Sequence, residues 1–138
     1  MQTTSFQFSV FTWSLKHRIH HKFTDTHADP HNSTRGFFFS HIGWLMVERH
    51  PDVKKMGKQI DMSDLKADPI VMFQHNHYFK LMTLTSIIIP MLITYYWFEE
   101  SLAVSFFFTF LTRHVILLNC TFMINSFAHV WGTRPFNR

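Results

Sequence analysis

Two long apolar runs dominate the second half of the chain. Residues 79–98 read FKLMTLTSIIIPMLITYYWF, with a single charge near the N-terminal edge. Residues 102–124 read LAVSFFFTFLTRHVILLNCTFMI and are again mostly apolar. Each run is long enough to cross a hydrocarbon core as a helix, which takes about 20 residues. Pro90 would break a helix in water but is tolerated in a membrane. Tyr95, Tyr96 and Trp97 close the first run, where interfacial aromatics gather. The link Glu99-Glu100-Ser101 is short and acidic, so the two runs predict a transmembrane hairpin. A pair of buried helices in a soluble protein is the competing reading. Arg113, His114 and Asn119 lie inside the second run. Polar groups at that depth are costly, so they are expected to face other helices, a polar cavity or an interface, with some neighbours missing from this stretch.

The first half is different. Residues 1–78 carry most of the charge and most of the histidines. The pattern thus divides the chain into a helical His-rich region (1–78), the hairpin (79–124) and a short polar segment (125–138). The fold class expected is all-α, an integral membrane helical protein. Lys and Arg are frequent before the hairpin and recur at Arg134 and Arg138, whereas the link has none. The positive-inside rule therefore places both ends on the cytosolic side. Residues 1–15 lack a basic segment followed by a clean apolar run, so no cleavable signal is expected.

Composition narrows the chemistry. The 138 residues are 46% hydrophobic and 17% aromatic but only 16% charged, which excludes intrinsic disorder. A single cysteine, Cys120, excludes an intrachain disulfide framework and a Cys-rich zinc knuckle. No Gly-rich phosphate loop, Ser-His-Asp order or nucleic-acid-reading motif is present, so nucleic acid is not an expected partner. Lys54, Lys55, Lys58 and Lys66 form a loose basic surface, suited to anionic lipid or to a phosphate-bearing substrate head.

The 11 histidines are the outstanding count. His17-Arg18-Ile19-His20-His21 has ligand spacing, because offsets of three and four residues place three imidazoles on one side of a helix. Such a set suits Fe, Zn, Cu or Ni, and spacing alone does not choose among them. Asn125 and His129 lie one helical turn apart where the second run ends. The hairpin returns them to the side of the first motif, His129 as a ligand and Asn125 acting through a bound water. His27 and His31 flank Ala28-Asp29-Pro30. Pro30 disfavours a helical Asp29, so this stretch reads as a turn, with Asp29 and Asn32 as turn or capping residues and both histidines structural. His41, His50, His75, His77 and His114 have no partner at ligand spacing. Ser63 is a candidate cap for a short helix after Met62.

The blocks Trp13, HRIHHKF at 17–23, HADPHN at 27–32 and RGFFFSHIGWL at 35–45 resemble the membrane-bound acyl-CoA desaturases, the stearoyl-CoA delta-9 type and its insect relatives. The resemblance continues through His50-Pro51, DMSDLKADP at 61–69 and MFQ at 72–74, and ends with NSFAHVWG at 125–132. It covers essentially residues 7–138. It implies a diiron oxygenase of the endoplasmic reticulum membrane, multi-pass with cytosolic termini. Such enzymes use O2 and electrons from cytochrome b5 to insert a cis double bond into a fatty acyl-CoA. By the same resemblance, His17, His20 and His21 match the middle of three His boxes. His129 matches a further ligand, and Asn125 the residue that holds a metal-bound water. Gln7, Trp13 and Thr121 match the residues lining the bend of the acyl tunnel.

The chain also departs from the pattern. The family's first box, its third box and an earlier hairpin have no counterpart in these residues. Leu15-Lys16 stands where Arg-Asp usually contacts the CoA head, Phe8 where Asn is usual, and Phe122 where Trp is usual. The expectation is a central piece of a desaturase, inactive alone. The alternative is a decayed, non-catalytic relative acting as a membrane hairpin or interaction protein.

Overall fold

The structure, a computed structural model, describes residues 2–131. Residues 132–138 of the C-terminal segment, among them Gly132, Arg134 and Arg138, lie outside the described residues. No strand occurs among the described residues. A 3-10 turn at Gln2–Ser5 precedes α1 (Val10–Phe23). The short helices α2 (Phe37–His41), α3 (Pro51–Gly57), α4 (Ser63–Ala67) and α5 (Pro69–Asn76) follow. Two long apolar helices complete the fold, α6 (Tyr78–Trp97) and α7 (Leu102–Val130). Only 11% of the most apolar stretch of α6 and 6% of that of α7 are buried, unlike the core helices of a soluble domain. The fold is all-α, with two helices long and apolar enough to cross a membrane. The second runs past residue 124 to Val130, because 125–130 contain no Gly or Pro to stop it.

Contacts divide the chain into two compact units, and this division differs from the hydropathy pattern. One comprises residues 2–15 and 61–118, the other 16–60 and 119–131. The first is the hairpin unit. It includes the start of α1, which Ser9 caps by accepting from Thr12 N at 3.2 Å. Asp68 caps α5 in the same way, accepting from Ile70 N and Val71 N, with Pro69 in the first helical position. Ser63 is not a cap. It is the first residue of α4, and Asp61 Oδ1 accepts its N–H at 2.9 Å.

Pro90 does not break α6. The helix widens into a π segment at Thr83–Ile88 just ahead of it. In that segment N–H groups reach back five residues, as Ile89 N does to Leu84 O, and the Ser86 carbonyl lies within it. Arg113 Nη2 of α7 donates to that carbonyl at 2.7 Å and to Ser86 Oγ at 2.9 Å. Ser86 Oγ in turn donates to the carbonyl of Thr4 at 2.9 Å. Arg113 was expected to need helices beyond this stretch; the structure supplies its partner from the first span. The small buried residues Ser86 and Ser105 sit on the two helices, as close helix packing in lipid favours. Ser101 Oγ caps α7 by accepting from Val104 N.

The second unit contains the end of α1, α2, α3 and the last turns of α7. Gly57 of α3 lies against Ile19, where an added Cβ would stand 3.1 Å from Ile19 Cδ1. His41 lies between Ser126 Oγ at 2.9 Å and Asn119 Oδ1 at 3.3 Å, so Asn119 too finds its partner within the chain. His50 caps α3 through Nδ1, and His77 contacts the carbonyl of Phe73. In the hairpin unit His75 pairs with Ser9 Oγ and His114 packs edge-on against Phe6. Each of these histidines thus makes a contact within its own unit.

Candidate metal centre

The last two turns of α1 set the geometry. Helical spacing brings His17 and His21 together, with ring centroids 4.4 Å apart and Nε2 atoms 3.0 Å apart. His20 is buried, 5.6 Å from the His21 ring and 6.5 Å from that of His17. α7 brings the His129 ring to 4.9 Å from His20. Asn125 lies half-buried on α7, one turn before His129. The structure therefore collects His17, His20, His21 and His129 in one unit.

Two further residues join them that spacing alone assigned to a turn. After α1 ends at Phe23, Asp25 adopts a left-handed conformation (φ 59°), which Asp tolerates better than most residues. The chain then doubles back so that Asp29 faces the last turn of the helix. Its buried carboxylate accepts from His20 Nδ1, His31 N and Asp25 N, each at 2.9 Å. As Pro30 implied, this stretch is not helical. His31 is buried edge-on against Trp44, ring centroids 4.4 Å apart, and 5.4 Å from His20. Its Nδ1 makes no hydrogen bond among the described residues. Donor atoms of His20, Asp29 and His31 lie within 4.8 Å of one another. The available signal was a His-x-Asp-x-His pattern beside a ligand-spaced helix, but the turn that closes it is tertiary.

Electrostatics favour ligand-ready imidazoles, since metal binding needs the neutral ring. Burial, with the nearby His20 as second cause, lowers the His31 pKa to about 4. Burial and then His21 and His20 lower that of His17. For Asp29, burial pushes the carboxyl up, but hydrogen bonds from His20, His31 and Asp25 outweigh it and the net shift is downward. The donor set fits a metal ion. Two nitrogens about 2.0–2.1 Å from one ion stand roughly 3 Å apart or a little more, close to the His17–His21 separation.

Gln7 Nε2 donates to the carbonyl of Leu117 at 3.2 Å within the hairpin unit, where Trp13 is also found. Thr121 lies half-buried on α7 in the histidine unit. At the departures, the Lys16 ammonium sits over Trp44, 5.5 Å from the ring centre. Burial, and secondarily Arg49, lowers its pKa to about 8. Phe122 is buried, edge-on to Trp44 and His41. Beside the cluster, a cavity of about 710 Å³ is lined by His27, Arg35, Glu48, Arg49, His50 and Lys54, among others.

No family model matches the chain. The chain is 54% identical over 140 residues to stearoyl-CoA desaturase 4 of Mus musculus, covering 99% of this chain and 38% of that protein. It is 49% identical over 136 residues to an acyl-CoA Delta-9 desaturase of Acheta domesticus, and 48% identical over 134 residues to an acyl-CoA Delta12-desaturase of the same insect. These matches cover 99% and 97% of the chain. The chain spans 38% of the length of each of these curated relatives. By sequence, the chain is similar over nearly its whole length to one part of these acyl-CoA desaturases.

Proposed function

We propose that these residues form the central part of a fatty acyl-CoA desaturase, an oxidoreductase that introduces a cis double bond into a saturated acyl-CoA in unsaturated fatty acid biosynthesis. The observation that carries this reading is the gathering of His17, His20, His21 and His129 in one unit. In it, those four histidines hold non-haem iron, two ions in the complete enzyme, with Asn125 acting through a bound water. Iron, when bound, supplies the O2 chemistry needed to remove hydrogen from an unactivated methylene. Cytochrome b5 supplies the electrons.

The protein residues do the rest. Four imidazoles fix where the metal lies. Gln7, Trp13 and Thr121 line the bend of the acyl tunnel and select which methylenes are presented. Leu15-Lys16 changes the contact with the CoA head. The setting is the endoplasmic reticulum membrane, with α6 and α7 crossing the bilayer, both ends of this stretch cytosolic, and lipid around the apolar faces.

Four histidines are fewer than two irons need in the family's manner. These 138 residues expressed alone are therefore expected not to support growth of cells lacking their own delta-9 desaturase without added unsaturated fatty acid. Joined in frame to the two outer His boxes of a relative, they are expected to restore growth, and His20→Ala is expected to abolish it again. Growth from the 138 residues alone would show that the site needs less than stated. A folded, iron-loaded chimera that converts no acyl-CoA would refute the desaturase reading.

A further inference from the structure

We propose that Asp29 is a positioning residue for His20. Its carboxylate holds the ring with Nδ1 protonated and leaves Nε2 as the nitrogen free to bind a metal ion. This rests on the metal reading of the cluster given above.

Oδ1 of Asp29 accepts the backbone N–H of His31, and Oδ2 accepts that of Asp25. A carboxylate gripped by backbone N–H groups at both oxygens is held in its acceptor form. His20 Nδ1, 2.9 Å from Oδ1, must then be the donor. A neutral imidazole that donates from Nδ1 presents a lone pair at Nε2. The tautomer of His20 therefore follows from the hydrogen bonds around Asp29. The same loop fixes the carboxylate, because both backbone donors lie within four residues of it. Both partners are buried, Asp29 at 3% and His20 at 7% exposure, so water does not compete for the bond.

His31 does not share this role. Its Nδ1 is 3.9 Å from Asp29 Oδ1, too long for a hydrogen bond. A rival arrangement would use Asp29 itself as a ligand with His20 and His31. The hydrogen bonds already made by both oxygens favour the orienting role. A carboxylate behind a metal-binding histidine fixes ring orientation and raises ligand basicity.

The test uses the full chain in detergent micelles, with nitrogen-15 histidine and long-range nitrogen–proton correlation, His20 being assigned by its loss in His20→Gln. The expected result is a Nδ1-protonated His20 in the metal-free protein. Co(II) binding, followed by its visible absorption, is expected to weaken by roughly 10–100-fold in Asp29→Ala. Asp29→Asn should fall between, because its amide carbonyl can still accept from Nδ1. A Nε2-protonated His20 in the wild type would overturn the proposal. So would Asp29→Ala binding Co(II) within about threefold of wild type at unchanged helical content. A Co(II) spectrum in Asp29→Asn showing an altered ligand set would make Asp29 a ligand and overturn it too. If Asp29→Ala does not fold, the wild-type tautomer and Asp29→Asn still decide. Failure of the wild type to bind Co(II) at all, with His20 protonated at Nδ1, would overturn the metal reading beneath the proposal, a result distinct from the others.

Discussion

In the hairpin unit, Phe79, Tyr96 and Phe108 are 76%, 71% and 68% exposed, while the most deeply buried side chains on the two helices are Ser86 and Ser105. In the histidine unit, Asp29, Asn32 and His20 are buried alongside Ile19, Val53 and Trp44. The hairpin turns large apolar groups outward and keeps small ones where its helices meet. That is the arrangement of a protein whose surroundings are as apolar as its interior, so that close packing and a few hydrogen bonds must join the helices. The histidine unit instead buries a polar network among apolar neighbours, which is tolerable only while its members stay hydrogen-bonded. Stability in the hairpin should therefore respond to packing and to the Arg113 contact, and stability in the histidine unit to protons and metal.

The largest effect expected from this contrast is a pH dependence of the histidine unit. His31 has its pKa lowered to about 4 in the folded chain, from 6.5. Between those values the unfolded state binds the more protons, so stability rises with pH. Acidification from pH 7 to 4 should cost the histidine unit up to about 3 kcal/mol, at roughly 1.4 kcal/mol per pH unit of pKa depression. Native-state hydrogen exchange of the metal-free chain in detergent should show protection lost around residues 28–32 but retained in α6. His31→Gln should flatten the dependence. Equal losses in both units would erase the distinction.

A smaller effect belongs to the hairpin. Arg113→Met removes the donor to the Ser86 carbonyl and should cost about 1–2 kcal/mol in an unfolding assay in micelles. In a Ser86→Ala background the contact with Oγ is already gone, so the cost should shrink. A double-mutant cycle measures the difference. An undiminished cost in that background would mean that the Ser86 hydroxyl contributes nothing to the Arg113 contact.

The smallest effect concerns the link. Glu99 follows the end of α6 in a left-handed conformation (φ 55°), where Gly is the usual residue. Glu99→Gly should relieve that strain. Added freedom of the unfolded chain offsets part of the gain, leaving a net stabilisation of about 0.5 kcal/mol in the same assay. Destabilisation would show that the Glu99 side chain contributes contacts worth more than the backbone strain.

What the sequence determined by itself follows from local rules. Two apolar runs of membrane length, with an acidic link between them, dictate α6 and α7, because an unpaired backbone is intolerable in hydrocarbon. Helical periodicity alone places His17, His20 and His21 on one side of α1, and Pro30 alone keeps the stretch around it from becoming helix. The tertiary structure decided which distant groups meet. Arg113 read as lacking a neighbour until Ser86 was found across the hairpin, 27 residues away. Asp29 reads as a turn residue and His31 as structural; the turn is there, and the left-handed Asp25 folds both back onto the end of α1. Periodicity is a property of the nearest few residues, whereas the pairing of a buried charge or carboxylate depends on loop closure. For that, a one-dimensional pattern carries only the requirement that some partner exist.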